Sequence, residues 1–187
     1  DSATRTAPME KGEAHIAGFG ALPYNDVNTL AKLPSLALTM KGYEMVSPIV
    51  ELDFNTRKPP FDNVKVRQAF AYAFDRQDYV TNVVKGLGSV ALSFIPPDRP
   101  GYAPDIKMYE FDAAKAKQGL ADAGYPNGQG LPEIKLTYSS TPRNKTRMEW
   151  VQNQIKTNLG INATLDPVES KAYTALVKDP ATTPQIF

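Results

Sequence analysis

The 187-residue chain is long enough to bury a core, and at 42% hydrophobic and 22% charged it has the balance of a folded globular protein, with no run near the roughly 18 apolar residues that span a bilayer. Lys and Arg number 21 against 20 acids, a net charge of +1, so no global field gathers nucleic acid or anionic lipid and no nucleic-acid partner is expected. Cysteine is absent and histidine occurs once, as His15, which excludes disulfides, thiolate metal sites, a cysteine nucleophile and a multi-histidine metal cage; no cofactor is expected.

The opening, DSATRTAPMEKG (residues 1–12), has no initiator methionine, no signal pattern and no lipid-attachment cysteine, and the closing TTPQIF stops inside a strand pattern. Those two ends suggest an excised piece of a longer protein. His15 sits in GEAHIAGFG, an apolar strand-like stretch, and with no G-x-S-x-G motif in the chain it has no nucleophile to serve. Gly18-Phe19-Gly20 lacks the third glycine of a dinucleotide loop and reads as a turn. In IVELDFNT (49–56) the alternation of Val50, Leu52 and Phe54 with polar neighbours predicts a strand with one covered face. Pro59-Pro60 then forbids helix and is expected to hold the chain extended.

Asp62 is placed to cap a helix whose Val66, Ala69, Phe70, Ala73 and Phe74 recur at spacings of three and four, with Lys65, Arg67, Gln68 and Asp75 on the other face. A second helical stripe of Tyr79, Val80, Val83 and Val84 starts near Asp75 and ends at Gly86. SFIPPDRPGYAPD (93–105) is an irregular, stiff connection. Asp112 caps a helix with Ala113, Ala116, Leu120 and Ala123 on one face; Gly124 closes it, and Gly119 inside it is a flaw that close packing could explain. GYPNGQGLP (124–132) is a long turn without the Lys and Ser or Thr of a phosphate loop.

IKLTYS (134–139), with Ile134, Leu136 and Tyr138 inward, reads as a strand, and a helix over 144–158 presents Met148, Val151, Ile155 and Leu159 before Gly160. INATLDPV (161–168) alternates again. This strand–helix–strand run predicts a parallel crossover, and the class is α/β with a mixed sheet flanked by helices. A short helix over 169–178 lays Tyr173, Leu176 and Val177 on the body. Asn144-Lys145-Thr146 and Asn162-Ala163-Thr164 match the glycosylation pattern by chance, at a helix start and in a strand. The candidate site is TYSSTPRNKTR (137–147), which leaves the carboxyl end of a strand carrying Arg143, Lys145 and Arg147 beside Ser139, Ser140 and Thr141. Spacing leaves two readings open: a solvated helix start, or a site for an anion or carboxylate.

FNTRKPPFDNVKVRQAFAYAFDRQDYV (54–80) resembles the N-x-x-x-P-P-F-D-D-x-R-V-R-Q-A-x-x-x-A-x-D-R signature of the extracytoplasmic solute-binding proteins of the oligopeptide, dipeptide and nickel ABC transporter group, known as family 5. GEAHIAG (12–18), IPPD (95–98), YEFDAAKAKQGLADAGYPNGQGLP (109–132) and VQNQIKTNLGINATLDPVE (151–169) resemble further segments of that family in the same order, with His15, Gly119 and Lys65 departing from its pattern. The resemblance implies a non-enzymatic receptor whose two lobes enclose a peptide or similar small solute outside the cytoplasm, in the periplasm or at the outer face of the bacterial cell membrane, and deliver it to a membrane permease. It further implies that residues 1–18 lie near the inter-lobe connection, 19–183 form the second lobe and 184–187 return to the first, leaving about half the site on this chain. Ligand contact then falls on Lys145 first, by similarity to dipeptide-binding members, and on Arg143, Arg147, Ser139 and Ser140. A carboxylate-based hydrolase and a protein-interaction module are the alternatives from other classes.

Overall fold

The computed structural model describes residues 2–18, 20–40, 49–97 and 99–187. In chain order its elements are α1 (Ser2–Glu10), α2 (Tyr24–Leu30), α3 (Val64–Ala73), the single turn α4 (Arg76–Asp78) running into a wide π turn (Tyr79–Val83), α5 (Ala113–Asp122), a 3-10 turn (Pro126–Gly128), β1 (Lys135–Ser139), α6 (Pro142–Leu159), β2 (Thr164–Val168) and α7 (Ser170–Lys178). The chain divides into two units, one of residues 1–48 with 77–91 and one of 49–76 with 92–187.

In the smaller unit the expected strand around His15 does not form. Glu13 and Ala14 both donate their N–H to the Pro8 carbonyl, at 2.8 and 3.0 Å, which folds the stretch back on α1 and leaves His15 and Ile16 exposed. Local pairing satisfies the amides that a strand would have offered to a neighbour. The turn expected at Gly18–Gly20 is closed by Ala21 N–H on the Gly18 carbonyl (3.1 Å), though Phe19 lies outside the described residues. Val83 and Val84 are buried, and Gly86, at φ 77°, donates to the Val80 carbonyl at 2.9 Å and ends the helical turn where expected.

The larger unit holds the sheet. β1 and β2 pair in parallel, with Leu136 opposite Leu165 and Thr137 opposite Asp166, as the crossover pattern predicts. Ile186 bridges Leu136 in parallel and Phe54 in antiparallel fashion, so the sheet is mixed. β1 is therefore flanked on both sides, and Thr137 is as buried as its apolar neighbours. Leu52 and Phe54 pack on the core, but Val50 is exposed, so the covered strand at 49–56 is shorter than its alternation suggested. α3, α5 and α6 close over the sheet with Val66, Phe70, Leu120, Ile155 and Leu159, all fully buried.

Three local readings change. Pro59-Pro60 is a cis peptide inside a turn closed by Phe61 N–H on the Lys58 carbonyl (2.9 Å), not an extended segment; a cis proline at the third position is what such a turn accommodates. The cap of α3 is Asn63, whose side chain accepts from Lys65 N–H at 2.9 Å, while the Asp62 carboxylate accepts from Asn63 N–H, ahead of the helix. α6 begins at Pro142, two residues earlier than read, because proline suits a first helical position that needs no N–H and Thr141 caps it. Asp112 caps α5 as expected, with Lys115 N–H 2.9 Å from its carboxylate. Among the described residues 93–105 carry no regular element, and Tyr173, Leu176 and Val177 of α7 are half-buried.

Candidate functional site

Because β1 and β2 run in parallel, their carboxyl ends reach one edge of the sheet, and each feeds a helix there: β1 into α6 and β2 into α7. Ser140 N–H donates to the Val168 carbonyl at 2.8 Å, and the Ser139 and Ser170 hydroxyls lie 2.7 Å apart, so the two strand-to-helix corners are stitched together. Thr141 N–H donates to the Ser139 carbonyl (2.7 Å), and Asn144 Nδ2 donates to the same oxygen (3.1 Å), which turns the chain sharply into α6. Glu169 accepts from the N–H groups of Lys171 and Ala172 at 2.9 and 3.1 Å, and these bonds hold its carboxyl below the usual carboxylate range.

Of the five sequence-predicted site residues, Ser139 is half-buried and engaged with Ser170, Ser140 is exposed, Arg143 and Arg147 are half-buried, and Lys145 is exposed. Arg147 Nη1 donates to Asn144 Oδ1 at 3.3 Å. Lys145 Nζ lies 2.9 Å from Glu149 Oε1, one turn along the same helix, and that hydrogen bond raises the lysine's pKa. Ser139 and Ser140 lie at the carboxyl end of β1 and the three cations on the first two turns of α6 that leaves it, and the Ser139 hydroxyl and the Lys145 ammonium have separate partners. The backbone donors of the helix start are less open than the cation pattern suggested. Pro142 has no N–H, Asn144 N–H donates to Thr141 Oγ1 (3.2 Å), and Lys145 N–H is already helical, bonded to the Thr141 carbonyl (2.9 Å). Side-chain cations are thus the main positive groups here.

Sequence reasoning missed three residues of this edge. Glu169 and Ser170 follow β2 where Ser139 ends β1 and Ser140 follows it, a signal visible only once the strands are known to be parallel; Glu149 is four residues from Lys145, a spacing that alone announces a helical pair. Two surface grooves lie elsewhere, one of about 210 Å³ between α3 and α5 beside Tyr72 and Lys115, the other of about 530 Å³ beside Leu92 and Ile106, and residues 139–147 line neither. Among the described residues no three His, Asp or Glu side chains converge as a metal site would require, and no helix is long and apolar enough to cross a membrane.

Residues 1–183 match the sequence model of the middle part of the bacterial extracellular solute-binding proteins, family 5. The chain belongs to that family. It is 33% identical over 178 residues to the oligopeptide-binding protein OppA of Bacillus subtilis, covering 91% of this chain and 32% of that protein, and 36% identical over 172 residues to heme-binding protein A of Haemophilus influenzae, covering 84% and 29%. Among solved structures, the ABC transporter-associated periplasmic binding protein DppA of Helicobacter pylori, in complex with the peptide STSA, aligns with all of this chain and 34% of its own, at TM-score 0.74 and 28% identity. The chain therefore spans about a third of the length of the relatives it matches. Its fold is that of part of a two-lobed periplasmic binding protein, and its family is one of solute-binding proteins, not of enzymes.

Proposed function

We propose that this chain is the second-lobe portion of a substrate-binding component of an ABC importer, which binds peptides or similar small solutes outside the cytoplasm and hands them to a membrane permease. On this reading residues 19–183 are lobe, 1–18 adjoin the inter-lobe connection, 184–187 lead back to the first lobe, and no reaction is catalysed. Family membership supports the receptor role, and oligopeptide- and peptide-bound relatives support the ligand class.

The observation that carries the site is the placement of Arg143, Lys145 and Arg147 in the opening turns of α6, at the carboxyl edge of the parallel pair, with no acid in the first turn. Cations there oppose the helix dipole, so helix stability does not account for them. A carboxylate docked at this edge would be opposed by neither the dipole nor those side chains. Lys145 offers it a point charge and the arginines a two-pronged donor.

The test uses the full-length protein and a peptide acid paired with its C-terminal amide. Lys145→Ala is expected to weaken the acid by roughly 10- to 150-fold, the range for a hydrogen bond to a charged group, and the amide far less. Equal losses for acid and amide, or none, would return the cluster to a solvated helix start. The 187-residue chain alone serves as control and binds weakly, because one open lobe neither excludes water nor supplies both sets of contacts.

A further inference from the structure

Lys145 is not waiting for a ligand: its ammonium is already held by Glu149, at 2.9 Å. That pair is poorly placed as a helix stabiliser. The favourable order puts the acid toward the N-terminus and the base four residues later, and here the order is reversed, with the lysine in the opening turns of α6. Both side chains remain substantially exposed, 63% for Lys145 and 47% for Glu149, so the pair is accessible to a ligand.

We propose that Glu149 is a resident counter-ion that sets the charge preference of this edge, favouring ligands with a cationic group beside the carboxylate over ligands with a second anion there. The inference rests on Lys145 as a ligand contact. A carboxylate that reaches Nζ must displace Glu149 or share the ammonium with it. Where the ammonium is shared, the two carboxylates stand within roughly 6 Å of one another, two hydrogen-bond lengths through one nitrogen; where Glu149 is displaced, its carboxylate is left beside the ligand without a partner. Where the ammonium is shared it faces two anions, and once the first lobe closes over this edge and excludes water the repulsion is no longer screened.

An acid with no further charged group takes all or part of the ammonium from Glu149 and gives it nothing in return. An acid with an adjacent amine or guanidinium gives Glu149 a new one, and an acid with a second carboxylate adds a third anion. The group nearest the C-terminal carboxylate of a bound peptide is its last side chain, so the discrimination is exerted at that residue. Arg143 and Arg147 flank the same turns and hold the edge net positive, which keeps any carboxylate admissible while Glu149 ranks the neighbours.

The experiment measures, by calorimetry on the full-length protein, the tripeptides Ala-Ala-Lys, Ala-Ala-Ala and Ala-Ala-Glu, with wild type, Glu149→Gln and Lys145→Ala compared. Wild type is expected to bind in the order Lys, Ala, Glu, with about ten-fold or more between the extremes, the scale of a like-charge contact removed. In Glu149→Gln the ratio between Lys- and Glu-ending peptides falls several-fold while the Ala-ending peptide binds as well or better. An unchanged ratio in Glu149→Gln overturns the counter-ion role while leaving Lys145 as the carboxylate contact, provided Lys145→Ala still weakens Ala-Ala-Ala more than its amide. If Lys145→Ala affects acid and amide alike, the carboxylate reading fails and this inference falls with it. Thermal melting of Glu149→Gln, an isosteric change at an exposed position, should match wild type and separates a binding effect from a folding one.

Discussion

Phe70 is the position at which the architecture of the larger unit is most exposed to test. Its ring is fully buried and meets Phe61 edge-on at 5.1 Å and Phe54 edge-on at 5.8 Å, while Phe54 and Phe61 stack at 4.8 Å. The three rings join the strand around Phe54, the Pro59-Pro60 turn and α3, so one truncation loosens three elements. A buried aromatic hides about 150–250 Å², which at about 25 cal/mol/Å² is about 4–6 kcal/mol, an upper bound because the unfolded chain already hides part of that area. Alanine keeps its own share but leaves a cavity, and Phe→Ala changes in cores cost about 3–5 kcal/mol. Two lost edge-to-face contacts place Phe70→Ala at about 4 kcal/mol. The assay is urea unfolding followed by fluorescence of Trp150, the only tryptophan, which packs near Phe74 at 6.1 Å and so reports the larger unit. Val64→Ala, at a half-exposed position on the same helix, is the control and should cost about 0.5 kcal/mol or less. A Phe70→Ala loss under about 1 kcal/mol, with unchanged m, would refute the packing described for α3.

Gly119 lies inside α5 facing α3, and a Cβ built there would sit 3.5 Å from Ala69 Cβ, an ordinary contact, so Gly119→Ala should stabilise the unit by about 0.4–1 kcal/mol in the same urea assay; a loss would mean the two helices approach more closely than described. The carboxyls of Asp112 and Glu169 are both held low by hydrogen bonds from backbone N–H groups at their helix starts, Lys115 for Asp112 and first Lys171, then Ala172, for Glu169. A folded pKa below the unfolded one means stability that is present above about pH 4 and lost as pH falls through the folded values. Asp112→Asn and Glu169→Gln should therefore each flatten the fall in urea midpoint below pH 4. Asp53 has the opposite sign, since burial pushes its carboxyl up: its protonation favours the folded state as pH falls toward about 4, so Asp53→Asn should remove that gain and steepen the decline above about pH 4 rather than below it. An acid limb unchanged in all three variants would remove these groups from the pH dependence.

Short-range physics made most of the larger unit legible in the sequence. The three- and four-residue spacing of Val66, Ala69, Phe70 and Ala73 fixed the buried face of α3, Asp112 and Gly124 bracketed α5, and the alternation of Ile134, Leu136 and Tyr138 marked β1, because periodicity and capping act within a turn or two of the residues themselves. The cation cluster at Arg143, Lys145 and Arg147 was visible for the same reason. What the sequence could not decide depended on distant partners. Residues 12–18 had an apolar pattern but found the Pro8 carbonyl instead of a neighbouring strand. Thr137 reads as the outward position of a half-covered strand, yet it is buried, its hydroxyl donating to Asp166 at 2.9 Å and its N–H to the Ile186 carbonyl at 3.1 Å, both partners distant in sequence. Ser139 and Ser170 are 31 residues apart and meet at 2.7 Å only because two strands run in parallel. Tertiary structure thus decided which of the legible groups share an edge, since strand pairing is a contact between distant segments and no local pattern encodes the partner.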